Sequence, residues 1–234
     1  MAKLRCPAKS GGSSTVSVTV YSAVADTVSI QYGGTTSSIT TDSSGKAESV
    51  TLPIGAVTLT SSIAKDPSSN NLSDAYSKTI NVTSATTDVY VMPDGALYWY
   101  GFNNGVQTLS TANGWSSSGT LKTFRDPTYG TNSVTANTNY TACYCGIGST
   151  QKVSASKICA ITKGITGPTN YGQLAALNSK DVVDTATTAT SITSGSVTKY
   201  EVSLTQGNYN AVIYSSVGGT ASTRSQEISA LWYE

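Results

Sequence analysis

Between Thr15 and Met92 the apolar residues fall on every second position, in run after run. Val16, Val18 and Val20 alternate with Thr and Ser, and Val28 with Ile30, Val57 with Leu59, Ile80 with Val82 and Val89 with Val91 repeat the pattern. A period of two is that of a strand with one buried face; a helix would scatter these side chains around its circumference. The runs are short. The breaks between them are turn formers: Gly33-Gly34, Asp42-Ser43-Ser44-Gly45 and Pro53-Ile54-Gly55. Short alternating strands at this spacing predict an antiparallel β-sandwich over residues 15–93.

The second half is punctuated differently. Asn103-Asn104-Gly105 and Asn113-Gly114 make residues 102–119 read as loop. Residues 115–124, 140–145, 157–163, 197–205, 209–216 and 226–233 read as strands. Residues 174–183 are ambiguous between a strand and helical turns, and 185–196 between a Thr-rich strand and a loop. In 157–163 the pairs Ile158/Ala160 and Cys159/Ile161 make both faces apolar, as in a strand covered on both sides. Ser and Thr together number 72 of 234 residues, and charged residues are only 12%, about half the usual share. The predicted fold class is therefore all-β: an Ig-like sandwich followed by a larger jelly-roll sandwich. The expected divisions are an arm at 1–14, a sandwich at 15–93, a junction at 94–114 and a second sandwich at 115–234.

The junction is the densest aromatic stretch. Pro93-Asp94-Gly95 is a turn, and Tyr98, Trp99 and Tyr100 follow within a few residues. These rings are expected either to cover the contact between the two sandwiches or to form an exposed platform for a sugar or a neighbouring subunit. Trp115, Tyr129 and Tyr171 belong to the same candidate set; Tyr is abundant, at 14 residues against 2 Phe. In the arm, Lys3, Arg5, Cys6 and Lys9 precede Ser10-Gly11-Gly12-Ser13-Ser14, a flexible-linker composition. They read either as a disordered terminus or as a peptide that orders on a partner.

Several chemistries are disfavoured. There is no histidine, which removes His-based nucleophilic triads and the commonest zinc ligand. Ser154-x-x-Lys157 and Ser196-x-x-Lys199 match a Ser–Lys pair, but so do Ser43/Lys46, Ser62/Lys65 and Ser149/Lys152; a Ser-rich chain produces such matches by chance. The carboxylates are scattered in turns or isolated, Glu201 among them, and Asp181 and Asp184 read as a solvated loop edge rather than a glycosidase pair. No cofactor and no metal are expected. A net charge of +1 without basic runs argues against nucleic acid. No apolar run approaches the roughly 18 residues that span a bilayer. The start of the chain lacks the apolar stretch of a signal peptide, so synthesis in a cytoplasm is expected. Cys6, Cys143, Cys145 and Cys159 are then expected as reduced thiols, a bridge from Cys143 or Cys145 to Cys159 being the alternative.

Two resemblances add to this. Thr41-Asp42-Ser43-Ser44-Gly45-Lys46-Ala47, followed by Leu52-Pro53-Ile54-Gly55 and an alternating strand, resembles the prealbumin-like, carboxypeptidase-regulatory type of Ig-like domain. The resemblance implies that the Asp-to-Gly turn joins two edge strands and that the domain acts as a spacer or adhesion module. Farther on come Gly207-Asn208-Tyr209, an alternating strand, Gly218-Gly219 and a last strand ending Leu231-Trp232-Tyr233. Together with Ala96-Leu97-Tyr98-Trp99-Tyr100-Gly101, this resembles virion proteins of tailed phages that join an Ig-like domain to a carbohydrate-binding-like sandwich. It implies a non-enzymatic virion structural protein, a capsid decoration or head fibre on the virion surface. A tail or baseplate component, or a module binding a host carbohydrate receptor, is the alternative. The implied partners are capsid or tail proteins, further copies of the chain by β-edge pairing, with a trimer favoured, and a host or mucosal glycan.

Overall fold

A computed structural model describes residues 14–108, 123–125, 127–138, 143–166, 172–178, 183–187, 194–204, 208–216 and 224–234. The chain is all-β. The first seven strands are β1 (Thr15–Tyr21), β2 (Thr27–Tyr32), β3 (Thr35–Thr40), β4 (Lys46–Pro53), β5 (Gly55–Lys65), β6 (Ala75–Val82) and β7 (Asp88–Tyr90). They form a three-stranded sheet in the order β4-β1-β7 and a four-stranded sheet in the order β3-β2-β5-β6. The alternating residues meet between them: Val18, Val20, Val28, Ile30, Leu52, Val57, Leu59, Val82, Val89 and Val91 are buried in one core. The Asp42–Gly45 turn joins β3 to β4, each an edge strand of its sheet. Asp42 builds that turn by accepting from the backbone N–H groups of Ser44 and Lys46 at 2.7 and 3.0 Å.

One carboxylate is fully buried here. Asp26 accepts hydrogen bonds from the hydroxyls of Ser22 and Ser61, both at 2.6 Å, and from the N–H and hydroxyl of Ser62, both at 2.9 Å. It thereby ties the β1–β2 turn to β5. Four donors on one carboxylate satisfy it where water cannot reach.

The second sandwich begins earlier than residue 115. β8 (Gly95–Trp99), β9 (Phe102–Asn103) and β10 (Val106–Thr108) fall in the stretch read above as junction and loop. β8 runs antiparallel to the last strand, β21 (Arg224–Tyr233), with Tyr98 opposite Leu231. Local sequence carries no sign of a partner so far along the chain. The remaining strands are β11 (Thr123–Arg125), β12 (Thr128–Tyr129), β13 (Val134–Thr138), β14 (Cys143–Ser149), β15 (Val153–Ser154), β16 (Lys157–Thr166), β17 (Gly172–Leu177), β18 (Val183–Ala186), β19 (Val197–Ser203) and β20 (Asn208–Ser216). One sheet is ordered β12-β13-β21-β16-β19, the other β10-β14-β20-β17-β18. Taking β13, β14 and β16 to β21 as the principal strands, the first, eighth, third and sixth lie in one sheet and the second, seventh, fourth and fifth in the other. That alternation is the double Greek key of a jelly roll. Residues 174–177 are strand, and the alternative of helical turns falls away because Leu174, Ala175, Ala176 and Leu177 are buried, both faces of β17 being covered.

The two sandwiches share a third core. Trp99, Tyr100, Cys159, Ile161, Ala230 and Trp232 from the second pack on Ala23, Ala64 and Leu72 from the first. A bulge makes this contact. On β21, Ala230 pairs with Ile161 but Ile228 pairs with Thr162, so Ser229 is an extra residue. One extra residue reverses which face each later side chain occupies. Ile228, Leu231 and Tyr233 therefore point into the jelly roll, and Ala230 and Trp232 point out toward the first sandwich. β16 serves both cores too, with Ile158 and Ala160 inward and Cys159 and Ile161 outward.

Candidate functional site

The junction aromatics are inside. Tyr98, Trp99 and Tyr100 are 2%, 0% and 6% exposed. Tyr98 lies in the jelly-roll core, and Trp99 and Tyr100 lie in the core between the sandwiches. Trp99 meets Tyr76, Tyr100 and Trp232 edge-on, with centroids 5.0, 5.2 and 6.0 Å apart, an arrangement aromatic quadrupoles favour. Of the two readings of these rings, the sugar platform is corrected: no ring face is left for a ligand. The Tyr100–Gly101 turn seals the contact. The N–H of Val24 donates to the Tyr100 carbonyl at 3.0 Å, and Asn132 Nδ2 donates to the Val24 carbonyl at 2.6 Å. Gly101 has φ +94, and a Cβ there would lie 2.3 Å from the Thr131 carbonyl oxygen, so no other residue fits.

Tyr129 is 49% exposed, and its hydroxyl lies 3.3 Å from that of Thr108. The structure does not bring it to the junction rings' core. Trp115, Tyr171 and the arm residues Lys3, Arg5, Cys6 and Lys9 lie outside the described residues. Cys159 is buried and free; the side chains of Cys143 and Cys145 lie outside the described part. One exposed ring escaped the sequence reading. Tyr90, 42% exposed, stacks flat on Tyr21 at 4.7 Å.

Where the two sandwiches meet, a polar cleft of about 600 Å³ opens between the β5–β6 loop and β19. The loop presents Ser68, Ser69, Asn70 and Asn71; the strand presents Thr198, Lys199 and Glu201. The loop has internal order. Asp66 accepts from the N–H and hydroxyl of Ser68 at 2.8 and 2.7 Å, and its own N–H donates to the Asp74 carbonyl at 2.9 Å, closing the loop at its base. Leu72 has φ +46 and is buried in the core between the sandwiches. A left-handed leucine costs about 1–2 kcal/mol, which the burial of its side chain offsets. Leu72 turned in leaves its neighbours Asn70 and Asn71 turned out.

The strand side of the cleft carries an ion-pair network. Lys199 Nζ lies 2.7 Å from Glu201 Oε1; Lys157 Nζ lies 3.4 Å from the same oxygen and 3.1 Å from Glu234 Oε2. The indole N–H of Trp232 donates to Glu234 Oε1 at 3.0 Å, and Lys199 Nζ sits 5.8 Å from the Trp232 ring centroid. Lys199, through its hydrogen bond, holds the Glu201 carboxyl below its ordinary range. Burial opposes ionisation of Glu234, but the Trp232 indole and Lys157 outweigh it and its pKa is lowered. Two ammonium groups face two carboxylates, so the wall is neutral overall.

Cys159, Glu201 and Glu234 have ligand atoms within 4.8 Å of one another, but both carboxylates are engaged by lysines. Burial, then the charge of Glu234, pushes the Cys159 thiol up to about 12, so it stays protonated and is a poor metal ligand and a poor nucleophile. Lys157 and Lys199, the lysines of two of the Ser-x-x-Lys matches, are committed to these carboxylates. Sequence reasoning treats Glu201 as isolated. The signal it missed is cross-strand: Lys157 and Cys159 on β16 sit opposite Ser203 and Glu201 on β19, and strand register is not legible before topology is known.

No protein-family model matches the chain, and no curated protein matches it. Among solved structures it is similar to carbohydrate-binding modules of the β-sandwich superfamily, described for their promiscuous specificity, at 10% identity and a TM-score of 0.36, over 94% of this chain and 98% of that one. It is also similar to the secreted serine protease VesC from Vibrio cholerae, at 10% identity and a TM-score of 0.37, over 94% of this chain and 43% of that one.

Proposed function

We propose that this chain is a non-enzymatic virion surface protein, a capsid decoration or head fibre, that holds a neutral, hydroxyl-rich glycan in the cleft between its two sandwiches. The cleft itself carries the reading. It has about 600 Å³ of space, within the range of small-ligand sites. Its lining offers amides, hydroxyls, one ammonium and one carboxylate, the groups that bond sugar hydroxyls in both directions. Its charges cancel, which favours a neutral sugar over a sialylated or sulfated one. One wall comes from each sandwich and the core behind them is packed, so the site is assembled before the ligand arrives. The virion assignment draws on the resemblance of the junction and last strands to phage virion proteins. The arm with Lys3, Arg5, Cys6 and Lys9 is the proposed anchor to the particle, and the jelly roll is the part displayed.

The test is a glycan array with the whole chain, followed by calorimetry on the best neutral hit. Neutral oligosaccharides are expected to bind, and Asn70→Ala with Asn71→Ala to weaken binding at least tenfold. The reading fails if only acidic glycans bind, if none does, or if the double variant binds like the parent chain.

A further inference from the structure

The open edge of the first sandwich points to a different occupant, whatever the cleft holds. Edge strands invite pairing with other chains, and proteins guard them with charges, prolines or bulges. Four described edge strands have six or more residues. β4 is bulged at Ser49, φ +56, and carries Lys46 and Glu48. β6 carries Lys78, and β19 carries Lys199 and Glu201. β3, Thr35-Thr36-Ser37-Ser38-Ile39-Thr40, has no charge, no proline and no bulge, and all its residues but Ile39 are exposed. Beside it the sandwich gapes in a groove of about 980 Å³, with Ile30, Ile39, Ala47 and Val50 among its lining.

We infer that β3 is a self-pairing edge, joining a second copy of this chain antiparallel about a two-fold axis through Ser38. The register follows from the hairpin. Gly33 and Gly34 have φ +51 and +79, a two-residue turn of the mirror-image type. Tyr32 and Thr35 flank it and face each other, so they exchange hydrogen bonds, as do every second pair beyond them. The N–H and C=O groups of Thr36, Ser38 and Thr40 are left pointing away from β2. A two-fold axis at Ser38 sets Ser38 against its own copy and Thr36 against Thr40, and every outward group gains a partner. It also keeps the core faces of both four-stranded sheets on one side, giving one continuous sheet. Identical strands about a two-fold oppose like with like, which an uncharged strand tolerates and a charged one does not. On the groove's rim, Lys46 and Glu48 neutralise each other.

Sedimentation of the whole chain tests this. The parent chain is expected as a dimer. Ser38→Lys and Ser38→Glu, each placing like charges on the axis, are expected as folded monomers, because the Ser38 side chain is exposed and its backbone is not bonded to β2. Mixing the two variants is expected to restore the dimer, a rescue that a folding defect would not show. A monomeric parent chain, a trimer indifferent to Ser38→Lys, or a mixture that stays monomeric would overturn the inference. Glycan binding by the monomeric variants is read separately, so the two proposals fail independently.

Discussion

Two of the open hollows among the described residues differ in almost every respect. The cleft between the sandwiches is walled by a pinned loop and by the paired Lys199 and Glu201. The groove between β3 and β4 has the bare edge of β3 on one side and the bulged, charge-bearing edge of β4 on the other, over apolar residues. A wall of amides, hydroxyls and cancelled charges suits a ligand that donates and accepts from many small groups. A wall of unpaired backbone suits another backbone. Size alone would rank the groove first; chemistry assigns the two hollows to different partners.

The strongest way to separate them is to break the core behind the cleft. Trp232→Ala removes a ring that packs on Trp99 and donates to Glu234, and should cost about 3–5 kcal/mol. Chemical denaturation should record that loss, glycan binding should disappear, and Cys159 should become open to alkylation. The Ser38-dependent dimer should survive, since the first sandwich has its own core. Loss of the dimer as well would mean that the hollows are not independent.

Leu72→Ala is a gentler version. It should cost about 2 kcal/mol, the low end for buried leucine, because Leu72 sits at the margin of its core. Calorimetry should show glycan affinity falling further than stability does, since the loop loses its pin. A third test is acid. Glu201 and Glu234 have lowered pKa values from an ordinary 4.5. Their contribution is therefore present above that value and lost as pH falls through the folded-state values. Both are partly exposed, so the loss in stability should stay below about 1 kcal/mol. Glycan binding should nevertheless drop over the same range, and a flat binding profile down to pH 3 would remove the network from the site. The smallest effect is expected from Glu48→Gln, which breaks an exposed pair with Lys46. It should leave the denaturation midpoint unchanged, because a pair this exposed is screened by water, and leave both binding events intact; a weakened dimer would draw the rim of the groove into the interface.

The two sandwiches were unequally legible in the sequence. In the first, strands and inward residues follow from alternation alone, because each strand buries one face in its own core and keeps the other largely wet. In the second, Ile158 to Ile161 announced a strand covered on both sides, but nothing local said that one cover is the other sandwich. The run at Ala96 to Trp99 read as a link because its partner, β21, is more than a hundred residues on. The cleft was illegible for the same reason: Asn70, Lys199 and Glu201 line one cleft only through three-dimensional pairing. β3 lies between two turns that the sequence marks, Gly33-Gly34 and Asp42–Gly45, but its bareness means something only beside the guarded edges.

The bulge at Ser229 has a consequence beyond shape. It works like a frame shift within β21, so that one strand is read into one core before it and into two cores after it. A β21 straightened with Ser229 kept in the ladder would turn Trp232 into the jelly roll and Leu231 and Tyr233 out of it, spoiling both packings at once. The core between the sandwiches therefore cannot melt while β21 keeps its place. Heating should show the second sandwich and the junction lost in a single calorimetric transition, and hydrogen exchange should protect Ala230 to Tyr233 as long as any part of that unit stands.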